Sequence, residues 1–485
     1  MADGPEPDLA ENPPGGGLPG ARIPSPAPRP SPSWALLEAQ ARTVLGLGGL
    51  NAAPSALPPR AEQLWRMDGF AADVPFTNAM FVPMGQVADI GRLYEAVAIV
   101  VSRHHALRTR LAVRRGRAVQ IAEDWKVKQL DVTDVLQSEL ADLRPGGKSA
   151  VSAFTQGTMD LYAQDGFRCH AFRDEQRNLT LGFLAHGFFA DSWSSRILFQ
   201  EIRAVHEALE AGTPAQLEPV SQYADYALAQ RRVLDRDLTS HLMHWHGRLK
   251  DMPPSCLPYD REGDQTRRGR SFFFTGPEIV ARLAAVAQES RVSLTILLLA
   301  AYQLALAGWS GQREILSAAY TADRVDPRFR NTIGFLVVNM PVLARIDGDR
   351  SFKSFLLDFA KDYYGSYAHR DVSCELYEAI FAPQKPFCST VFNFIPLQKN
   401  FSAGELHAVP SFDGILTAPD AERPSIYRDV YLGLSQHSNG MLGKVFYNAG
   451  RFTPGAMENF IRHFSAVIDG IAAGPGAKLG SLADR

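Results

Sequence analysis

A nearly continuous apolar run at residues 178–186, NLTLGFLAH, restricts the fold more than any other segment. Polar residues bound the run, so it predicts a central strand that is buried on both faces. Apolar residues at helical spacing follow in SWSSRILFQEIRAVHEALEAG, which stops at Gly212, and Asp191 stands at the N-cap position. A buried strand that leads directly into an amphipathic helix is typical of an α/β domain.

The chain length indicates more than one such domain. Single hydrophobic cores stop growing near ~250–300 residues, and this chain has 485 residues. The alternation continues with a buried helix at SLTILLLAAYQLALAGWSG and strands at EILSAAYTA, IGFLVVNMPVLARI and STVFNFIP. We predict a disordered Pro/Gly-rich leader, a short helix with a linker, an N-terminal lobe and a C-terminal lobe, which occupy residues 1–33, 34–56, 57–215 and 216–485 in that order.

Composition excludes several classes of partner. Fifty basic and fifty-two acidic residues give a net charge of −2, which provides no electrostatic basis for binding nucleic acid. There is no secretory signal pattern, and the apolar runs are shorter than the ~20 residues that span a membrane. The cysteines lack the spacing of metal sites or redox pairs. We therefore expect a cytoplasmic monomer that binds neither nucleic acid nor membranes.

Residues 186–192, HGFFADS, form the predicted turn between strand and helix and are the candidate site. Such a turn often presents polar side chains at a cleft. On its own the pattern favours a structural interpretation, in which His186 is buried and bonded to the backbone and Asp191 only caps the helix. His241 and His244 have a metal-binding spacing, but no third ligand accompanies them, so we predict a solvated helix face there. No nucleophile elbow, P-loop or dinucleotide fingerprint is present, and we expect no bound metal or cofactor.

Four further stretches stand in an informative order: PPRAEQLWRMD (58–68), RHHALRTRL (103–111), YADYALAQ (223–230) and IGFLVVNMPV (333–342). In this order they resemble motifs of the condensation domains of nonribosomal peptide synthetases, which belong to the chloramphenicol acetyltransferase-like superfamily. The resemblance extends over about residues 57–482. It implies an α/β fold with two chloramphenicol acetyltransferase-like lobes in a V-shaped pseudo-dimer, and a central channel between them.

The family signature, H-H-x-x-x-D-G, lies where the lobes join, and HGFFADS is similar to it. His186 stands at the first His of the signature, Asp191 at its Asp and Ser192 at its Gly. Gly187 stands at the second His, which in the family removes or steers a proton during acyl transfer. Glycine has no titratable group and does neither.

The same resemblance implies roles for residues outside the signature. The family's carboxylate is structural and pairs with an arginine from the other lobe, and Arg324 is the candidate partner of Asp191. Asn393 and Trp193 are expected along the channel. Ser194 matches one position of a heterocyclisation motif, although ordinary condensation domains share that match.

The implied function is acyl transfer from a carrier-bound thioester to an amine or, less readily, a hydroxyl acceptor. Substrates would arrive on the phosphopantetheine arms of peptidyl or acyl carrier proteins. No adenylation or carrier pattern follows in the chain, so we expect a free-standing domain. Acid–base catalysis typically supplies ~10²–10⁴-fold and positioning supplies more, so the missing base need not abolish condensation.

Two alternatives remain open at this point. In the first, the chain is a non-catalytic module that recruits a carrier protein, another synthetase or a tailoring enzyme. In the second, it has altered chemistry such as cyclisation, in which His186, Ser192 or Ser194 takes over.

Overall fold

A computed structural model describes residues 32–47, 56–68, 77–125, 129–141, 149–155, 159–162, 166–253, 255–263, 267–381, 388–396, 415–422 and 428–484. The leader predicted over residues 1–33 therefore lies almost entirely outside the described residues. The helix predicted after it is present and begins at Pro32.

Helices and strands alternate through both halves of the chain. The helices are α1 (Pro32–Val44), α2 (Pro59–Asp68), α3 (Ile90–Arg103), α4 (Gln137–Ala141), α5 (Ala150–Thr155), α6 (Ser192–Ala211), α7 (Tyr223–Leu249), α8 (Pro277–Glu289), α9 (Leu294–Ser310), α10 (Phe352–Tyr367), α11 (Cys374–Phe381), α12 (Pro454–Ala473) and α13 (Leu479–Ala483). The strands are β1 (Thr77–Gln86), β2 (Thr109–Arg114), β3 (Arg117–Ala122), β4 (Val132–Asp134), β5 (Phe167–Arg173), β6 (Asn178–His186), β7 (Arg267–Thr275), β8 (Glu314–Ala322), β9 (Val337–Arg345), β10 (Thr390–Ile395), β11 (Ile415–Glu422), β12 (Val430–His437) and β13 (Gly440–Asn448).

The N-terminal sheet has the order β1-β6-β5-β4, and β6 occupies the residues predicted for the central strand. It pairs antiparallel with β1 and with β5. Leu181 and Phe183 pack into a core that includes side chains of α3 and α6. On the other face of β6, the backbone of Gly182 lies against the rings of Phe81 and Phe172. The predicted burial of this strand on both faces is confirmed.

The C-terminal sheet has the order β11-β7-β13-β12-β10-β8-β9. Strands β8, β10 and β12 run parallel, whereas the other pairings are antiparallel. Helix α9 is buried from Ile296 to Ala307, which confirms the predicted core helix. The strand predicted at IGFLVVNMPVLARI begins only at Val337. Residues 333–336 instead form a loop that contacts the candidate site.

Helix α7 contributes to the cores of both lobes. Its first turn places Tyr223 and Tyr226 in the N-terminal core, and its later turns place Leu234 and Trp245 in the C-terminal core. The two sheets with their helices form the mixed α/β fold of two lobes that the sequence predicts.

Helix α1 packs Ala41 against the C-terminal core. Among the described helices, none is by itself long and apolar enough to cross a membrane; α8 and α9 reach that length only together, across a bend of 105°.

Candidate active site

The turn between β6 and α6 is tightly packed. The backbone N–H groups of Phe189 and Ala190 both donate to the carbonyl oxygen of His186, at 2.9 and 3.1 Å. Phe188 and Phe189 are completely buried, and Gly187 between them and His186 is also buried. The apolar side chains therefore anchor the loop while the polar residues at its ends make the specific contacts.

His186 lies inside the N-terminal lobe, with 2% of its surface exposed. Its Nδ1 accepts the backbone N–H of Phe188 at 3.2 Å, and its ring stacks on that of Phe188. Burial lowers the pKa of His186 to about 3. At neutral pH the ring is therefore uncharged, and because Nδ1 accepts a hydrogen bond, the proton resides on Nε2.

Asp191 caps helix α6, as the sequence predicts, because its Oδ1 accepts the N–H of Ser194 at 2.7 Å. It also forms a two-point ion pair with Arg324, which comes from the loop after β8. Arg324 Nη1 donates to Oδ2 at 2.7 Å, and Nη2 donates to Oδ1 at 3.0 Å. Both side chains are almost fully buried. The structure thus contains the expected pair, and it joins the two lobes.

The loop at residues 333–336 completes this junction. The N–H of Leu336 donates to Asp191 Oδ2 at 3.1 Å, and Asp191 N–H donates to the carbonyl oxygen of Gly334 at 3.1 Å. These contacts take the backbone groups that a longer β9 would use. This is why the predicted strand starts late.

Ser194 is committed to the same junction and is fully buried. Its Oγ accepts the N–H of Gly334 at 3.0 Å, and its single proton faces Asp191 Oδ1 at 2.7 Å and the carbonyl oxygen of Gly334 at 2.9 Å. Ser192, two residues before Ser194, is exposed. The two serines therefore occupy different environments, and only Ser194 belongs to the Asp191 network.

Trp193 lies at the edge of this network. Its Nε1–H donates to the carbonyl oxygen of Arg330 at 3.1 Å. The guanidinium groups of Arg196 and Arg324 lie 4.2 and 5.5 Å from the centre of its ring. The hydrogen bond to Arg330 and the cation–π contact with Arg324 hold Trp193 against the C-terminal lobe, whereas Arg196 lies on the same helix as Trp193.

Asn393 is placed elsewhere, on β10 in the C-terminal sheet. Its amide donates to the hydroxyl of Tyr431 on the neighbouring strand at 2.9 Å. Its described contacts do not reach the Asp191–Arg324 pair. The structure therefore brings His186, Asp191, Trp193, Ser194 and Arg324 together and leaves Asn393 on a separate wall.

A second buried ionic network joins the lobes, and the sequence reasoning missed it. Glu375, at the start of α11, accepts a hydrogen bond from Asn339 at 2.6 Å and lies 2.9 Å from the guanidinium of Arg60 in α2. Burial alone would raise the pKa of Glu375, but the charges of Arg60 and Arg428 outweigh burial and lower the pKa to about 2. No local pattern signals this contact, because Arg60 and Glu375 are far apart in the chain.

We expect Glu375→Gln to lower the free energy of unfolding at pH 7 by about 3 kcal/mol, because the carboxylate pKa is depressed in the folded state. A depressed carboxylate pKa contributes stability above about pH 4.5 and loses it as the pH falls towards 2. Urea unfolding from pH 7 to pH 2.5 should therefore show the wild type and the variant converging in acid. Glu314→Gln breaks an exposed pair with Arg345 and should cost less than about 1 kcal/mol. If the free energies of unfolding of the wild type and of Glu375→Gln fell in parallel between pH 7 and pH 2.5, a depressed pKa of Glu375 in the folded state would be contradicted.

The prediction of a solvated face at His241 is wrong. His241 is 6% exposed, and its Nδ1 lies 3.0 Å from Nδ1 of His369, a residue 128 positions away. Burial is the main cause that lowers the pKa of His241 and of His244 to about 4. Within the described ranges, no cluster of three or more His, Cys, Asp or Glu has the arrangement of a metal site.

The sequence of this chain is similar to those of known proteins of one family. A family model described as "Condensation domain" matches residues 76–483. A linear gramicidin synthase of Brevibacillus parabrevis is 27% identical over 429 residues, which are 85% of this chain. The matched region is 8% of that synthase, so the chain corresponds to a small part of the relative.

Solved structures agree on the fold. The condensation domain from Monacolin K polyketide synthase MokA superposes with a TM-score of 0.72 at 18% identity and covers 88% of this chain and 98% of that domain. The X-domain in its complex with OxyB from teicoplanin biosynthesis gives a TM-score of 0.67 at 19% identity, with 88% and 95% covered. The chain belongs to the condensation domain family.

Proposed function

We propose that this chain joins an acyl group, held as a thioester on the phosphopantetheine arm of a carrier protein, to an amine acceptor. The observation that carries the proposal is the buried Asp191–Arg324 pair, which ties the signature turn of one lobe to the other. A buried ion pair with additional hydrogen bonds holds a fixed geometry, because breaking it leaves an uncompensated charge. Such a junction supports a role in positioning reactants between the lobes.

Position 187 supplies no base to the proposed reaction. A neutral amine attacks a thioester without prior deprotonation, whereas a hydroxyl needs help from a base. Acid–base catalysis contributes ~10²–10⁴-fold, and well-oriented reactants gain more than that from proximity. An amide product is therefore favoured over an ester.

The neighbouring polar groups give little support to altered chemistry such as cyclisation. His186 has a pKa of about 3 and a backbone partner on Nδ1, which makes it a poor base at neutral pH. The hydroxyl of Ser194 is engaged on both sides of the lobe junction. Using Ser194 would require the Asp191 network to be rebuilt, and using His186 would require its buried ring to leave Phe188.

The direct test is a condensation assay with an acyl-loaded carrier protein and a panel of amines and alcohols. Product is followed by intact-protein mass spectrometry, and the uncatalysed rate is measured with the carrier alone. We expect amide formation above the uncatalysed rate and slower or no ester formation. A rate equal to the uncatalysed one for every acceptor would contradict the proposal.

A second candidate function is recruitment of a carrier protein or tailoring enzyme without catalysis. It is favoured by the absence of a titratable side chain at Gly187 and by the burial of His186. The X-domain that resembles this fold is itself described in a complex with OxyB. Pull-down with carrier and tailoring proteins distinguishes the two functions, because stable binding without turnover fits only recruitment.

A further inference from the structure

The C-terminal sheet has one face against its helices and one face towards the N-terminal lobe. Phe273 and Phe392 point to the helices, where their rings contact Phe464 of α12 and Tyr302 of α9. Side chains alternate along a strand, so the residues between them point the other way. We call this opposite side the inter-lobe face, since at its β9 end Asn339 bonds Glu375, which pairs with Arg60 of the N-terminal lobe.

The inter-lobe face is positively charged over its central strands. On β7, β13, β12 and β10 the alternation and the register give it basic residues and no acidic residue. The basic residues on this face are Arg268 and Arg270 on β7 and Lys444 on β13. A wall with this charge attracts anions.

Lys444 is a cation of this wall that has no acidic partner among the described residues. Its side chain is exposed, yet the protein around it is dense enough for desolvation to lower its pKa. No carboxylate in the described part of the chain pairs with it. An exposed ammonium without a carboxylate beside it is available to an anionic ligand, and a bound anion would favour its charged form.

Ser435 and His437 lie on β12, next to the strand that carries Lys444. Ser435 Oγ is 2.9 Å from His437 Nε2. His437 Nδ1 is buried and has no hydrogen-bond partner among the described residues. Burial and, after it, the charge of Lys444 lower the pKa of His437 to about 4. Buried polar atoms are nearly always hydrogen-bonded, so a bound ligand could supply the partner of Nδ1.

The sheet register sets where this group lies. Strands β8, β10 and β12 are parallel, with Val391 opposite Ala318 and Ile395 opposite Ser435. Ser435 and His437 are the last two residues of β12 on this face, at its carboxyl end. Ligands in open α/β sheets bind outside the carboxyl ends of parallel strands, which is the position of Ser435 and His437.

We propose that Lys444, His437 and Ser435 form a binding site for a free carboxylate on the acceptor substrate. The inference rests on the proposed function and deepens it by naming the acceptor class, an amine that also carries a carboxylate. The lysine supplies a charged donor, and the Ser435–His437 pair supplies one further proton whichever ring nitrogen of the neutral imidazole holds it. The phosphodiester of a carrier arm is a poorer match, because it is bonded to the carrier and stays at the carrier's surface.

The test compares 3-aminobenzoate with 3-aminobenzamide, a neutral amide of similar size and shape, on the full chain. Affinity is measured by calorimetry, and the His437 imidazole is followed by NMR over pH. We expect the carboxylate to bind at least tenfold more tightly and to raise the pKa of His437. Lys444→Met should remove this preference and Lys444→Arg should keep it. Lys361→Met, at an exposed lysine of α10, is the matched control and should leave the preference unchanged.

Equal binding of the two probes, binding of neither, or an undiminished preference in Lys444→Met would overturn the site. Binding of phosphopantetheine without binding of 3-aminobenzoate would also overturn the carboxylate site. The same preparation is assayed for transfer of the acyl group from a loaded carrier protein to the amine of 3-aminobenzamide. Turnover without a carboxylate preference contradicts only the carboxylate site, whereas carboxylate-selective binding without any turnover contradicts only the proposed function.

Discussion

Replacing Arg324 with methionine is expected to lower the free energy of unfolding by about 3–5 kcal/mol. The substitution leaves the buried Asp191 carboxylate without its two-point partner, and removal of one member of a buried pair has costs of this size. Because the pair joins residues 133 positions apart in the two lobes, the loss should also weaken the cooperativity between the lobes. Urea unfolding followed by circular dichroism measures both effects.

Arg328→Met is the matched control. Arg328 lies four residues after Arg324, is exposed, and pairs with Asp326, which is partly exposed. Its loss should stay below about 1 kcal/mol. Equal losses for the two variants would mean that the Asp191–Arg324 pair does not hold the lobes together.

Gly187→His is expected to accelerate condensation of an amine by roughly 10²–10⁴-fold, the usual contribution of a positioned acid–base group. The physical reason is that only the base is missing from a turn whose other contacts are in place. The rate of the variant should rise with pH as the introduced imidazole loses its proton, in a step at or below the ordinary imidazole pKa of about 6.5, because burial lowers that pKa. The wild type should lack that step. Single-turnover mass spectrometry across pH 5.5–8.5 measures the gain and the step together.

Gly187→Ala separates the effect of side-chain size from that of the base and should give no gain. Unfolding midpoints of both variants establish that the buried turn accepts a side chain. A folded Gly187→His variant with unchanged turnover would indicate that the space between the lobes has been adapted to another task, and it would favour recruitment over catalysis.

Local patterns predict the part of the site that is local in sequence. The run at 178–186, the cap at Asp191 and the stop at Gly212 coincide with β6 and α6, because strand burial and helix capping depend on near neighbours. The partnership of Asp191 with Arg324 followed from the family resemblance and not from any pattern around either residue.

Long-range contacts account for what the sequence did not reveal. His241 has its partner in His369, and Glu375 has its partner in Arg60, at separations that no periodicity encodes. Residues 333–336 carry a strand-like pattern, yet their backbone groups bond Asp191 and Ser194 across the lobe junction. The placement of Lys444 on the strand next to Ser435 and His437 depends on sheet register, which fixes neighbours only after the strands have paired.

The central claim is that positioning between the lobes replaces the missing base. The most direct measurement is the effective molarity of the amine, the ratio of its first-order rate of amide formation in the saturated complex to the second-order rate of the uncatalysed reaction. We expect a value orders of magnitude above the amine concentration that is physically attainable, on the order of 10⁵ M or more for well-oriented reactants. A ratio near the concentration of amine actually present would contradict it.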